Sequence, residues 1–386
     1  MKQRYRFGYW CCLILMAVFF SLGRLAATET RATSMGNTGL FFHDNSNIFI
    51  FPGSLLLYGN QIIGEFRVKG DSSTFSGGVH FPFGDYAVGG LWLNRNLNLP
   101  VPQGLLTGIA LNETNDFVLG FKTGQYDLGF RISANAKSNK GTIGDTLVQN
   151  VDESARYFEF AAGISSRFYD FGGYVSLPKV ESKQTLSGDR KWEGTGFGLS
   201  GRFFFGPEDG IMYVPAGLVD YLAADLTQGQ QKVETDYLRV RVGMGVHYQI
   251  NKTNLVVLGI EAYGLEESKE KVANLGEQTE RVTNLPGFYL GGETHAKEWL
   301  ILRVGATHLW REQKSIFKPT TGTETETSSR DSQFNLYLGT GFKIGRFLID
   351  LDFNTDFFFE GPDFVSGHNA GQLDDFINRL SVTYGF

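Results

Sequence analysis

Past Cys12 the chain holds no cysteine. Both thiols, Cys11 and Cys12, lie in an N-terminal apolar run, and removal of that run excludes disulfides, thiolate metal sites and thiol nucleophiles. Proline is sparse, 10 residues in 386, and nowhere gathers with serine into a linker that would divide the chain. The 6 histidines (His43, His80, His247, His295, His308 and His368) stand apart, none at metal-ligand spacing from another, so we expect no metal and no cofactor. After residue 27 no apolar run approaches the ~20 residues of a spanning helix, which excludes the inner membrane. A net charge of −6 offers no basic surface, so nucleic acid is not an expected partner. What the chain has in quantity is glycine, 49 residues, and aromatic side chains, 14%. That combination points to close-packed sheet with an aromatic exterior.

The two ends say where such a sheet would live. Lys2, Arg4 and Arg6 precede an apolar run from about Tyr9 to Leu22, and Leu25-Ala26-Ala27 follows. A basic start, an apolar core and a small-residue stop describe a secretory signal peptide over residues 1–27. Cleavage after Ala27 is the preferred reading, with Ala32 as the alternative. At the other end Leu380, Val382, Tyr384 and Phe386 are apolar, and Ser381, Thr383 and Gly385 between them are small or polar. This strict period of two is a strand with one greasy face and one wet face. A terminal aromatic is poorly placed in water but well placed at a lipid headgroup layer. The ending resembles the C-terminal signal of bacterial outer-membrane barrels. The resemblance implies a strand that closes a barrel and is read by the barrel-assembly machinery.

Between the ends, about sixteen segments alternate in the same way, most of them near or above the ~9–11 residues that cross an outer membrane at a tilt. Connections near Phe83-Gly84, Gly124, Tyr169-Asp170, Gly206–Asp209, Asn251-Lys252, His295–Glu298 and Gly345-Arg346 are short. Those at Arg95–Asn115, Ala136–Ala155, Pro178–Trp192, Ala224–Thr235, Glu266–Pro286, Glu312–Ser332 and Phe359–Asp375 are long and polar, with Lys69–Ser73 a short exception. Short periplasmic turns and long extracellular loops alternate in this way in a transmembrane barrel, and a sandwich has no reason to sort them. The expected fold is therefore all-β, a transmembrane antiparallel up-and-down barrel of about sixteen strands (alternatively fourteen) over residues 61–386, in the outer membrane of a Gram-negative bacterium with lipid around it.

The wet faces name the lumen. In the segment Asp236–Ile250, Leu238, Val240, Val242, Met244, Val246 and Tyr248 alternate with Arg239, Arg241, Gly243, Gly245 and His247. A slip of one residue would turn both arginines to lipid, at roughly 2–4 kcal/mol each near the midplane. The same sorting places Asp127, Arg131, Glu159, Arg167, Arg303, Asp350 and Asp352 inside, where the two aspartates are expected to pair with cations such as Arg303 and Lys343. Glycines on that face leave room for an occupant. Pro215, which lacks a ladder donor, marks a bulge or kink in the wall.

Residues 28–60 do not alternate. They run Met35-Gly36-Asn37-Thr38-Gly39, then Asp44-Asn45-Ser46-Asn47, then Phe51-Pro52-Gly53, then a short apolar helix candidate at Ser54–Tyr58. Irregular backbone cannot face lipid, so this segment belongs in the lumen as a plug or in the periplasm. It resembles the hatch of the long-chain fatty acid transporter family, which commonly carries Met-Gly-Gly-Ala, Asp-Asp and Asn-Pro-Ala-Gly at similar spacing. Here Asp44-Asn45 stands for Asp-Asp and Phe51-Pro52-Gly53 for Asn-Pro-Ala, and the strand count exceeds the family's fourteen. The resemblance implies a hatch at residues 28–60, ligand or gating roles for Met35, Gly36, Asp44, Asn45, Asn47 and Pro52, and hydrophobic cargo. Bonds from Asp44, Asn45 and Asn47 to wall arginines would hold the gate. The charged lumen argues instead for polar or mixed solutes, and the cargo stays open between the two. A structural or assembly barrel that never opens and uses its loops for partners is the second reading. An outer-membrane enzyme ranks last, because no Ser/His or Asp/His constellation gathers at one rim.

Overall fold

The computed structural model describes residues 28–69, 72–97, 99–101, 109, 111–143, 149–184, 188–207, 209–229, 231–272, 275–355 and 376–386. The signal peptide expected at residues 1–27 lies outside them. Sixteen strands form one closed antiparallel barrel in which every strand pairs with its sequence neighbours. They are β1 (Gln61–Lys69), β2 (Ser72–Phe83), β3 (Ala87–Asn96), β4 (Glu113–Lys122), β5 (Asp127–Ile143), β6 (Gln149–Ser165), β7 (Tyr169–Gln184) and β8 (Arg190–Phe203). The second half comprises β9 (Ile211–Gln228), β10 (Gln231–Asn251), β11 (Asn254–Val272), β12 (Gly276–Lys297), β13 (Leu300–Pro319), β14 (Thr325–Ile344), β15 (Phe347–Phe353) and β16 (Ile377–Gly385). The terminal strand closes the cylinder: Leu380, Val382 and Tyr384 stand opposite Phe66, Gly64 and Ile62 of β1. The Phe386 N–H donates to the Asn60 carbonyl at 2.9 Å.

Side chains segregate by parity. Phe130, Ile132, Phe158, Phe160, Val242, Met244, Leu258, Ile260, Leu302 and Val304 are exposed on the outside. Arg131, Glu159, Arg303, Asp350 and Asp352 are buried in the bore. An apolar exterior on a closed cylinder has one compatible solvent, membrane hydrocarbon, and closure leaves no unpaired strand edge in it. The chain is an outer-membrane β-barrel.

Two expectations need correction. Five of the seven long polar connections are largely paired ladder. β5 and β6 run together out to Ile143↔Gln149, β9 and β10 to Gln228↔Gln231, β11 and β12 to Val272↔Gly276, and β13 and β14 to Phe317↔Thr325. β7 and β8 likewise continue to Ser182↔Arg190. Above the membrane both faces meet water, so the apolar–polar alternation that signals a strand disappears while the backbone pairing continues. The loop at Phe359–Asp375 lies outside the described residues. Pro215, in turn, makes no bulge: β8 and β9 pair through Arg202↔Ala216 and again at the Phe205↔Tyr213 bridge, without a change of register. What proline removes is the rung between them, because its nitrogen has no hydrogen to donate.

Residues 28–60 lie inside the bore. Helix α1 (Glu29–Ser34) is followed by 3-10 turns at Thr38–Phe41, Asn45–Phe49 and Pro52–Tyr58. The last begins two residues before the expected helix, since Pro52 suits a first turn with no donor to satisfy. Glycines on the inner wall receive this segment. A Cβ on Gly129 would come within 2.0 Å of the Pro52 carbonyl carbon, one on Gly172 within 2.0 Å of the Ile50 oxygen, and one on Gly305 within 2.1 Å of the Gly36 nitrogen. Backbone rests on backbone there, which no other residue permits.

Candidate functional site in the lumen

The lumen site is built from the inner segment and a collar of wall charges. Arg202, projecting inward from β8, does most of the holding. Its Nε donates to Asp170 Oδ2 at 2.8 Å, and its Nη1 donates to the carbonyls of Phe42 (2.8 Å), Leu40 (3.2 Å) and Gly39 (3.3 Å). The guanidinium also lies over the Phe51 ring, 4.6 Å from its centroid. Arg131 donates to the Phe49 carbonyl at 3.0 Å. From the segment's side, Arg31 makes a two-pronged contact with Glu293 of β12, at 2.8 and 2.9 Å, and Glu293 also receives Arg303 at 2.6 Å. Such forked, charge-assisted bonds fix orientation as well as energy.

The residues expected to gate take other positions in this arrangement. Asp44 caps the turn Asn45–Phe49, accepting from the Ser46 N–H at 3.0 Å, and its nearest cation is Arg31, 3.8 Å away within the same segment. Asn47 accepts the Asp44 N–H and donates to the Gly39 carbonyl. Asn45 is buried and its amide nitrogen has no partner among the described residues. Wall arginines thus meet the segment's carbonyls rather than its Asx side chains. Met35 packs with Phe41, Phe42, Leu255 and Val257, Gly36 turns at φ +71° against Gly305, and Pro52 rests on Gly129 and Gly163. Burial raises the Asp44 carboxyl above its ordinary range, against the pull of Arg31. Burial, helped by Arg202, pushes His43 down to about 4.

On the wall, Arg239 pairs with Asp220 at 2.6 Å, Arg241 with Glu261 at 2.5 Å, Arg131 with Glu159 at 2.5 Å and Arg303 with Asp350 at 2.6 Å. Asp127 is half-buried at the foot of β5, and His247 faces inward with neither ring nitrogen partnered among the described residues. Two side chains leave the lumen set: Arg167 is exposed in the turn 166–168, beneath which β6 has already ended, and Lys343 is exposed at the rim of β14. Sequence reasoning passed over Arg202, Asp170, Arg31 and Glu293. Arg202 left a signal, since it is the lone charge between Gly194 and Phe205.

Above the segment lies a cavity of about 580 Å³, lined by Leu40, Phe49, Leu218, Leu265, Tyr289 and Leu309 together with Arg95, Arg239, Arg241 and Glu261. Higher still, the described residues of the β3–β4 connection reach the inner wall. Leu97 and Leu111, with Leu99, Val101 and Ile109 beside them, pack on Tyr157, Val180, Trp192 and Leu222 of the inner wall.

No family model matches the chain, and no curated protein matches it. Among solved structures it is similar to a Pseudomonas aeruginosa FadL homologue, with 10% identity over 94% of this chain and 99% of that one and a TM-score of 0.42. It is similar to the Pseudomonas putida toluene transporter TodX, with 8% identity over 94% and 97% and a TM-score of 0.38. The siderophore receptor PirA from Acinetobacter baumannii is matched at 10% identity and a TM-score of 0.35, over 76% of this chain and 61% of that longer one. The barrel assignment itself rests on the strand pairing and the apolar belt.

Proposed function

We propose that this barrel passes small solutes with an apolar body and a polar end across the outer membrane, and that residues 28–60 act as its hatch. The observation that carries the reading is the cavity of about 580 Å³ directly above that segment, where leucines and aromatics share the lining with arginines and carboxylates. A purely polar bore would suit ions, and a filled one would suit a scaffold. The mixed lining supports a solute that is part apolar and part polar, since such a solute meets both kinds of side chain. Met35, Gly36, Asp44, Asn45, Asn47 and Pro52 shape the hatch so that it fits the glycine floor, and opening requires release of its carbonyls from Arg202 and Arg131. The expected partners are outer-membrane lipid, the barrel-assembly machinery acting on Leu380–Phe386, and the unidentified cargo.

A sealed structural barrel is the second reading, favoured by the ion pairs that tie Glu29 and Arg31 of the segment to the wall. Planar-bilayer recording separates the two. Deletion of Gly36–Pro52 from a barrel that still shows heat-modifiable migration is expected to raise conductance. Unchanged conductance sinks the hatch. Mass spectrometry of the detergent-solubilised protein is expected to find retained lipid or fatty acid.

A further inference from the structure

The barrel closes where β1, β16 and β15 lie side by side. In that register Ser381 stands opposite Glu65 on one flank and Asp350 on the other. All three face the bore and are buried. Directly opposed residues of neighbouring strands hold their Cβ atoms about 4.5–5.5 Å apart, so the row is a serine between two carboxylates. Thr28 packs onto that row: it is 2% exposed, and its hydroxyl lies 2.5 Å from Ser381 Oγ. Two residues on, the Thr30 N–H donates to Glu65 Oε1 at 3.1 Å.

Among the described residues the acids there outnumber the cations by one: Glu29, Glu65, Glu293, Asp350 and Asp352 face Arg31, Arg67, Arg303 and Arg379. Asp350 gives one oxygen to Arg303 at 2.6 Å. Its Oδ2 has no partner among the described residues, nor does Asp352 Oδ1. A buried carboxylate oxygen left unpaired calls for a donor that carries charge.

We propose that the Glu65–Ser381–Asp350 row is the binding site for the chain's own α-ammonium, created at Thr28 when the leader is cut away after Ala27. In that hydrolysis water attacks the Ala27 carbonyl, the C–N bond breaks, and the leaving Thr28 amine takes up protons to become an ammonium. Its three N–H donors match the serine oxygen and the two flanking carboxylates. Leader removal thereby supplies the missing charge, and it ties the inner segment to the strands that close the barrel. Cleavage after Ala32 instead would discard Glu29, Thr30 and Arg31, and with them the contacts to Arg67, Glu65 and Glu293. This inference stands apart from transport and holds equally for a barrel that never opens.

The test uses the full mature barrel purified from outer membranes. Intact mass and peptide mapping are expected to place the first residue at Thr28. Acetic anhydride is expected to label the α-amine of the folded barrel at least about tenfold more slowly than that of heat-denatured protein. The double variant Glu65→Gln/Asp350→Asn is expected to lose this protection, whereas Asp220→Asn, on the far wall, keeps it. A first residue other than Thr28, or equal labelling of folded and denatured wild type, overturns the proposal. Should the double variant fail to assemble, the wild-type comparison alone still decides.

Discussion

The wall and the segment it encloses are specified by different physics. The wall is written in a repeating rule: alternate residues go to lipid or to the bore, and any slip moves a whole face into the wrong solvent. The inner segment has no such rule. It is held by a few points, backbone on glycine at Gly129, Gly172 and Gly305, and carbonyls on the Arg202 and Arg131 guanidiniums. A wall tolerates many single changes because its register is overdetermined. A point-held segment depends on each of its fastenings, and this asymmetry can be probed one fastening at a time.

The largest effect is expected from Gly129→Val. A Cβ 2.0 Å from the Pro52 carbonyl carbon meets backbone on both sides, so the cost exceeds about 4 kcal/mol and the segment is expelled. Protease cleavage within residues 28–60 should appear while heat-modifiable migration of the barrel persists. Next comes Arg202→Ala, which strips the clamp from three carbonyls and leaves buried Asp170 unpaired. A loss of about 3–5 kcal/mol in thermal or denaturant unfolding is expected, with raised conductance. Glu293→Gln keeps the shape but weakens the forked contact to Arg31, by about 1.5–3 kcal/mol in the same assay.

A smaller, pH-dependent effect should follow from His43. Its ring stacks on Phe204 at 4.4 Å, and Arg202 and Asp170 are its charged neighbours. Seated, the imidazole resists protonation down to about 4, while a released segment takes up the proton near the ordinary 6.5. Seating is therefore strongest above pH 6.5 and weakens as pH falls through 6.5 toward 4. Asp44, raised by burial, works in the opposite direction. Channel recordings should show conductance rising over this window in wild type and losing the rise in His43→Gln. The smallest effect belongs to the ladder above the membrane: Glu312→Gln breaks a 3.1 Å pair with the exposed Arg330 and should change stability by less than about 1 kcal/mol.

The same contrast explains what could be read from residues alone. β10 was legible because lipid on one side and lumen on the other imprint a period of two on Leu238–Tyr248. The upper half of β13, from Glu312 to Lys318, was not, because water lies on both sides and charge density there looks like loop. The bore's polarity was visible in Arg131, Glu159, Arg303 and Asp350, and so was the pairing of Asp350 with Arg303; that of Arg131 with Glu159 was hidden, since it depends on which strands become neighbours. The segment's turns were announced by Gly36, Asp44 and Pro52. Its fastenings were not, because a guanidinium that binds carbonyls leaves no partner side chain in the sequence to notice. The β3–β4 connection passed as polar although Leu97, Leu99, Val101 and Leu111 already carried an apolar stripe.

The missing rung opposite Pro215 has a mechanical consequence. A hoop of hydrogen bonds is stiff because each stave is stitched on both edges, and between Arg202↔Ala216 and Phe205↔Tyr213 one seam is unstitched. That seam borders the residue whose guanidinium grips the carbonyls of Gly39, Leu40 and Phe42. The wall is thus more yielding at the very place where Arg202 grips the segment it encloses.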